Sequence, residues 1–459
     1  MRIRLALPIV VLFIQAETTL HAGPPPAPPS VAVPVDRAVM AARVRDELLH
    51  AWRGYERYAW GHDELKPVSR TPHDWHGASL LMTPVDALDT LILMGLAGEA
   101  DRTKALIVER LSFDKDISVK CFEITIRLLG GLLSGYQMTG DARLLRLASD
   151  LGTRLLPAFE SPTGMPYMYV NLRTGVTRGA RTNPAEIGTL VLEFGALSRL
   201  TGNPIFHDKA RNALVQLYKR RSRIDLVGSE INVETGRWAD RASHVGGGID
   251  SYYEYLLKCS RLFGDKECGR MWRTSRRAIN RRLADDSGAG LWYGQVDMVT
   301  GQRTATEFGA LHAFLPAVLA LGGDLGRARR LQASCFRMWS LHGIEPEVID
   351  YRTMEVIHGG YPLRPEIIES AYYLHRYTKD PLYLEMGRTF FEALATRCRT
   401  DAGYTTLANV VTGEKGDLMP SYFLAETLKY LYLLFAPDET LDLDDVVFNT
   451  EAHPLRRAW

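Results

Sequence analysis

The chain has 459 residues, 46% of them hydrophobic and 24% charged, with 55 basic side chains against 54 acidic ones. This composition excludes wholesale disorder and collagen-like repetition, and a formal net charge of +1 gives no whole-chain pull toward nucleic acid or an anionic membrane. Length alone suggests about three domains of ordinary size.

Met1-Arg2-Ile3-Arg4 precedes an apolar run over residues 5–14 and a small residue, Ala22. A basic start, about ten apolar residues and a small residue at the cleavage point read as a secretory signal peptide over residues 1–22. The apolar run falls short of the ~20 residues a membrane span needs. Residues 23–35 are Pro-rich and read as a semi-rigid linker, so a secreted or periplasmic protein with no membrane insertion is expected. The five cysteines match no disulfide framework or zinc spacing, and nothing in their spacing pairs Cys259 with Cys268.

From Asp36 onward the pattern is helical. Asp36 is placed to cap a helix whose apolar stripe is Val39, Val44, Leu48, Trp52 and Tyr55. Similar helix starts then recur, at Thr83-Pro84-Val85-Asp86, Phe122-Glu123, Asn183-Pro184-Ala185-Glu186, Asp250-Ser251, Thr304 to Glu307, Arg364-Pro365-Glu366, and Pro420-Ser421 leading to Glu426. Between them comes a helix-stop and helix-start phrase: Gly140-Asp141, Gly202-Asn203, Gly264-Asp265, Gly323-Asp324 and Lys379-Asp380. Successive members are roughly 55–65 residues apart, which is an internal repeat of helix pairs. A helix pair cannot bury its own apolar faces, so the units pack side by side as an open solenoid or a closed ring. The last unit, Tyr430 to Phe435, is as apolar as any other and lacks a polar cap, which favours the ring. Residues 36–459 are therefore expected to form a single domain.

In such a ring the inner helices are parallel. Asp86, Glu123, Glu186, Asp250, Glu307, Glu366 and Glu426 would then face one cavity. A first-turn carboxylate is also what the helix dipole favours, at ~0.3–1 kcal/mol, so each alone is equally an ordinary cap. Glu254 reads as the N3 partner of Ser251 in a capping box. Three sites stand above that background. Glu123 has Arg127 one turn on, Glu366 has Arg364 and Glu369 beside it, and Asp250 follows Gly246-Gly247-Gly248. Tyr252, Tyr253 and Tyr422 are aromatic faces for a sugar ring or plain core. Separated carboxylates round a deep pit suggest glycoside hydrolysis. No P-loop, zinc-protease helix, nucleophile elbow or Rossmann fingerprint competes.

These phrases resemble glycoside hydrolase family 47, the class I α-mannosidases. The resemblance is carried by Gly61-His62-Asp63-Glu64-Leu65, Asp86-Ala87-Leu88-Asp89-Thr90, Phe122-Glu123 through Arg127 to Gly130-Gly131-Leu132-Leu133, Asp250 through Lys258, Arg364-Pro365-Glu366 through Ser370, Glu426-Thr427-Leu428-Lys429-Tyr430-Leu431, and Phe448-Asn449-Thr450-Glu451-Ala452-His453-Pro454. It implies an all-α (α/α)7 barrel with a C-terminal segment plugging it, and a secreted, bacterial-type inverting exo-α-1,2-mannosidase acting on N-glycan-type oligosaccharides. Glu123 would be the general acid, acting through a water. Glu366 would be the general base, and Asp250 an alternative acid or an electrostatic partner. Thr450 would hold Ca²⁺ through its hydroxyl and carbonyl oxygens. Arg127, Glu186, Arg364, Glu369, Tyr422, Glu426 and Glu451 would bind the terminal mannose or its waters. The expected partner is a mannose-containing oligosaccharide, with no nucleic acid, and the expected state a monomer.

Some positions depart from the family pattern. Ala310 and Ala313 stand where a His and a Cys are common, which leaves Cys335 without its usual partner. Gly248 stands where some members carry an Arg that selects the glycan branch. A glycan-recognition protein on the same barrel and an enzyme for another sugar linkage are the competing readings. Retention of Glu123, Asp250 and Glu366 favours catalysis.

Overall fold

A computed structural model describes residues 34–286 and 290–458. The expected signal peptide and residues 23–33 of the linker lie outside the described residues. In chain order the helices are α1 (Arg37–Tyr58), α2 (Met82–Leu93), α3 (Ala97–Arg110), α4 (Cys121–Ile124), α5 (Gly130–Thr139), α6 (Ala142–Leu155), α7 (Pro184–Gly188), α8 (Val191–Thr201), α9 (Ile205–Lys219), α10 (Asp250–Phe263), α11 (Lys266–Arg282), α12 (Leu315–Leu321), α13 (Leu325–Ser340), α14 (Glu366–Thr378), α15 (Leu382–Arg397) and α16 (Leu428–Phe435). Those buried on nearly every side are the inner ones: α2, α5, α8, α10, α12, α14 and α16. Helices α3, α6, α9, α11, α13 and α15 each return antiparallel outside the inner helix before them. The seventh outer position is filled by α1, which packs on α16, so the first and last helices of the ring complete one pair. This is an (α/α)7 barrel.

The stop-and-start phrases behave as their chemistry requires. Gly140, Gly202 and Gly264 end inner helices at φ of 70–75°, a conformation that costs other residues a steric clash. Asp141 and Asp265 then accept from N–H groups of the next helix, as Asp36 does for α1. Along α1, Val44, Leu48, Trp52 and Tyr55 are buried, whereas Val39 is exposed.

Two expectations about helix starts also fail. Residues 304–307 do not start a helix. Arg303–Ala305 and Glu307–Gly309 are strands, Glu307 pairs with Asp350 and is exposed, and α12 begins near Pro316. Helical turns begin at Ala310 as a 3-10 helix that runs directly into α12, with Pro316 tolerated in the first turn of α12, and the Glu307 carboxylate belongs to the rim sheet. Glu254 is not a capping-box member either. Ser251 lies inside α10, its Oγ accepting from Thr189, while Glu254 is buried in an ion pair with Lys258. The Cys259–Cys268 pair, which spacing could not assign, forms a disulfide joining α10 to α11, and Cys335 is free and buried.

The rim bearing the inner N-termini carries a crown of short hairpins. Asn171, Asn232, Asp297, Asp350 and Asn409 each accept with Oδ1 from the N–H groups two and three residues on. Directly after the turn Thr (174, 235, 300, 353 and 412), Gly175, Gly236, Gly301, Gly413 and, without glycine, Met354 take positive φ. The strand entering one inner helix pairs with the hairpin of the next unit, as Ser118–Lys120 does with Tyr169–Asn171, so the crown straps neighbours together.

The opposite end is closed by the hairpin Val446–Phe448/Pro454–Arg456, whose turn sits inside the ring. Polar backbone buried there needs partners, and the inner helices supply them. Asn449 Nδ2 donates to Ile126 O and Glu193 Oε1, both at 2.8 Å, and Lys429 Nζ donates to Ala452 O at 2.6 Å. His453 bridges Asp89 (2.7 Å) and Asp86 (3.2 Å), and Lys429 pairs with Asp89 at 2.7 Å, all fully buried. Gly130 and Gly131 make room. A Cβ on Gly130 would lie 2.6 Å from Asn449 Nδ2, and one on Gly131 2.8 Å from Val85 O.

Burial alone would raise the Asp89 carboxyl, but Lys429 and His453 hold it down at about 2. Lys429→Met leaves Asp89 buried against His453 alone and is expected to cost about 3–5 kcal/mol in urea unfolding near pH 7. Because the Asp89 pKa is depressed from an unfolded value of about 3.9, its stabilisation is present above that pH and lost as pH falls towards 2. The gap between wild type and variant should therefore narrow in acid, and a cost below about 1 kcal/mol at pH 7 would show that closure does not depend on this pair.

Candidate active site

A cavity of ≈ 360 Å³ opens at the crowned rim and ends on Thr450 and Glu451 of the plug. Of the sequence-predicted residues, Glu123, Arg127, Glu186, Asp250, Arg364, Glu366, Glu369, Tyr422, Glu426, Thr450 and Glu451 all line it. Glu307 does not, and Asp86 lies beneath, with Arg127 3.7 Å away. Tyr252 and Tyr253 are fully buried core residues, so of the three tyrosines only Tyr422 faces the cavity.

Two inner helices reach the site through π-helical turns, Thr125–Leu129 and Phe423–Thr427. Such turns concentrate at functional sites because they rotate side chains away from the regular helical stripe. The first carries Arg127, which donates to Glu123 Oε2 from Nε and Nη2 at 3.2 and 3.1 Å and pairs with Glu451. Its guanidinium lies 5.4 Å from the ring centres of both Trp75 and Tyr422. Glu123 is thereby fixed at one wall.

Asp250 starts α10, and its Oδ1 accepts from the Ser251 N–H at 2.7 Å. Burial pushes its carboxyl up to about 7, helped by the like charges of Glu254 and Glu366 and opposed by that N–H. Burial also pushes Glu366 up to about 7 against the pull of Arg364, and Glu366 Oε2 is buried without a partner among the described residues. Arg364 is held by Glu347 at 2.6 and 3.2 Å, which sets the position of the loop leading into α14. Burial raises Glu369 to about 8, although Lys258 and the Tyr430 hydroxyl favour its charged form. Glu426 is raised well above the carboxylate range by burial and by Glu366 and Glu369. Glu186 pairs with Lys120 at 2.9 Å.

Eight carboxylates thus line the cavity against three cationic side chains, Lys120, Arg127 and Arg364. Two carboxyls titrating near neutrality in one pocket can serve as acid and base. Gly248 has φ +87°, so any residue with a side chain would be strained there, although a Cβ would come no closer than 3.6 Å to Asn183. Lys120 and Glu254 were missed. A Glu254-Lys258 pair one turn apart in an apolar helix was a readable sign of a buried ion pair, whereas nothing in the sequence marked Lys120.

Acid and base carboxyls in a pit closed at one end are the equipment of a glycoside hydrolase. The sequence profile of glycosyl hydrolase family 47 matches residues 47–457, and the chain belongs to that family. It is 38% identical to an α-mannosidase I of Arabidopsis thaliana over 94% of this chain and 79% of that protein. It is 37% identical to a human ER degradation-enhancing α-mannosidase-like protein, over 99% and 83% respectively. The fold superposes on an α-1,2-mannosidase from Trichoderma reesei with a TM-score of 0.85 at 29% identity, covering 91% of this chain and 99% of that one.

Raised carboxyl pKa values have a stability consequence of definite sign. Asp250 and Glu366 bind protons in the metal-free native state up to about pH 7, but release them near 4 when unfolded. Stability of the metal-free protein should therefore fall as pH rises from about 4 to 7. Asp250→Asn/Glu366→Gln should raise Tm at about pH 7.5 and leave it unchanged at about pH 4. Parallel melting curves at both pH values would contradict the assignment.

Proposed function

We propose that the protein is a calcium-dependent, inverting exo-α-1,2-mannosidase that removes terminal mannose from N-glycan-type oligosaccharides. The observation that carries this reading is the convergence of Glu123, Asp250 and Glu366 on one cavity whose floor is Thr450. A pit closed at its floor admits only a chain end, which makes the action exo.

Glu366 takes a proton from a water as that water's oxygen attacks the anomeric carbon. The bond from that carbon to the leaving oxygen breaks, and the leaving oxygen receives a proton from Glu123 through a second water, or from Asp250. Attack opposite the leaving group inverts the configuration. It needs room for a water between base and sugar, with carboxyls about 6.5–9.5 Å apart. Burial near pKa 7 keeps Asp250 partly protonated and Glu366 partly ionised at neutral pH.

Calcium fits the floor chemically. Thr450 offers hard oxygen donors, and the lining carboxylates outnumber the cations. A bound Ca²⁺ would hold vicinal hydroxyls of the terminal sugar and take up negative charge. The Thr450 N–H donates to Tyr255 OH at 3.2 Å, and that hydroxyl donates to Glu193 at 2.6 Å, which fixes the turn carrying Thr450. The Cys259–Cys268 disulfide supports export to an oxidising compartment. Among the described residues no helix is long and apolar enough to cross a membrane.

Proton NMR of α-1,2-mannobiose hydrolysis tests these points together. Wild-type protein should release β-mannose first, lose most activity on chelation and regain it with calcium. Glu366→Gln should lose activity by about a hundredfold or more while still binding the disaccharide. Early α-mannose would refute inversion, and full turnover after exhaustive chelation would refute the Thr450 site.

A further inference from the structure

Outside the cavity, charge is concentrated on α11, which carries seven basic residues and one acid in a chain of net charge +1. Arg270 pairs with its own Glu267, and Arg276 caps Gly322 O. Arg277, Arg281 and Arg282 are exposed and make no ion pair among the described residues, and nor does Arg223 on the loop after α9. These four arginines, with Thr274, line a groove of ≈ 230 Å³. The lone carboxylate in it, Asp225, already accepts from Arg221 at 2.8 Å.

The groove is built rather than incidental. A Cβ on Gly301 would lie 3.3 Å from both Arg282 Cδ and Ile224 Cδ1, so the hairpin turn at 297–301 touches both walls. Since α10 begins at the cavity and α11 runs back, the groove lies at the rim where the cavity opens, one layer outward. The helix C-terminus explains a cation in its last turn, as at Arg281 and Arg282, but not Arg277 and Arg223. Four guanidiniums whose one neighbouring carboxylate, Asp225, is already engaged by Arg221 repel one another until an anion joins them, and their forked donors match the oxygens of a phosphate group.

We propose that this groove binds a phosphate ester carried on a glycan, so that an anionic branch is held at the rim while a neutral end of the same polymer enters the cavity. A groove of ≈ 230 Å³ suits a discrete ester. A membrane-docking face would be flat and would add apolar side chains, whereas the turn touching the groove exposes only Val299. The naming of a mannan rests on the function proposed above, but the anion site does not.

The test uses full-length Glu366→Gln protein, which does not consume its ligand. Phosphorylated mannan should bind about tenfold or more tightly than the same mannan after phosphatase treatment. That increment should shrink with salt. It should vanish in Arg277→Gln/Arg281→Gln and, from the opposite wall, in Arg223→Gln. With Glu366 intact, these exposed substitutions should leave Tm and hydrolysis of α-1,2-mannobiose unchanged. Equal binding of the two mannans, an increment that survives both sets of substitutions, or tighter binding to phosphatidylglycerol vesicles than to phosphorylated mannan would overturn the proposal. Full mannobiose hydrolysis without the increment sinks the groove alone. The increment without hydrolysis by the Glu366-intact protein sinks the catalytic reading alone.

Discussion

The bridge from His453 to Asp86 and Asp89, with Lys429 on the same Asp89, is what the rest of the molecule leans on. Seven parallel inner helices leave a hole along their common axis, and apolar side chains alone do not fill it from both ends. The C-terminal turn fills one end, but brings peptide groups where water cannot follow. Each must find a partner from a helix otherwise devoted to packing. Hence Lys258 and Lys429 lie in helices that are apolar around them, and both are fully buried. Their ammonium groups answer the Asn449 and Ala452 carbonyls as well as carboxylates.

Closing the floor also sets the chemistry above it. Carboxylates at an open helix rim would titrate like any surface acid. With the plug in place, burial is the largest influence on Asp250, Glu366, Glu369 and Glu426, and each is raised. Glu123 is held by Arg127 from one turn away, and Arg127 is itself held by Glu451 of the plug. One segment thus supplies both the low dielectric that lifts some carboxyls and the ionic contact that anchors another.

The sequence was legible where a single residue fixes a local geometry. The Gly-Asp junctions at 140–141 and 264–265 could be read because only a left-handed stop followed by a cap satisfies both helix ends. Ring closure followed from an uncapped apolar last unit. The crown was not seen, because strands of two or three residues carry no alternation to detect. Its signal lay in the turns, in the recurrence of Asn or Asp followed three residues later by Thr. Reading Glu307 as a helix start came from that omission. In the site, carboxylates near helix starts were visible, whereas Thr450 was reachable only through family resemblance, since one threonine has no spacing of its own. A local cap accounts for Glu254 in sequence, which hides its buried ion pair, and Tyr252 and Tyr253 read equally as sugar-stacking faces or core because aromatic residues in a row serve both; the structure makes them core.

The crown separates what is fixed from what can vary. In each hairpin the Asx side chain and the positive-φ residue determine the turn, and the residue two past the Asx is free of both duties. Those positions are Arg173, Glu234, Val299, Arg352 and Val411, all exposed and chemically unlike one another. Three of them nevertheless tie neighbouring units through their side chains, Arg173 to Asp114, Arg352 to Asp285 and Glu234 accepting from Tyr167, so it is at the exposed Val299 and Val411 that a substitution changes the rim surface without disturbing a strap between units. The inner helices have no such freedom, because Gly130, Gly131 and the buried charges each fit a specific neighbour within a few tenths of an ångström. The rim can therefore vary while the floor of the cavity stays the same, and an arginine groove beneath one of these turns is the kind of feature that this division of labour permits.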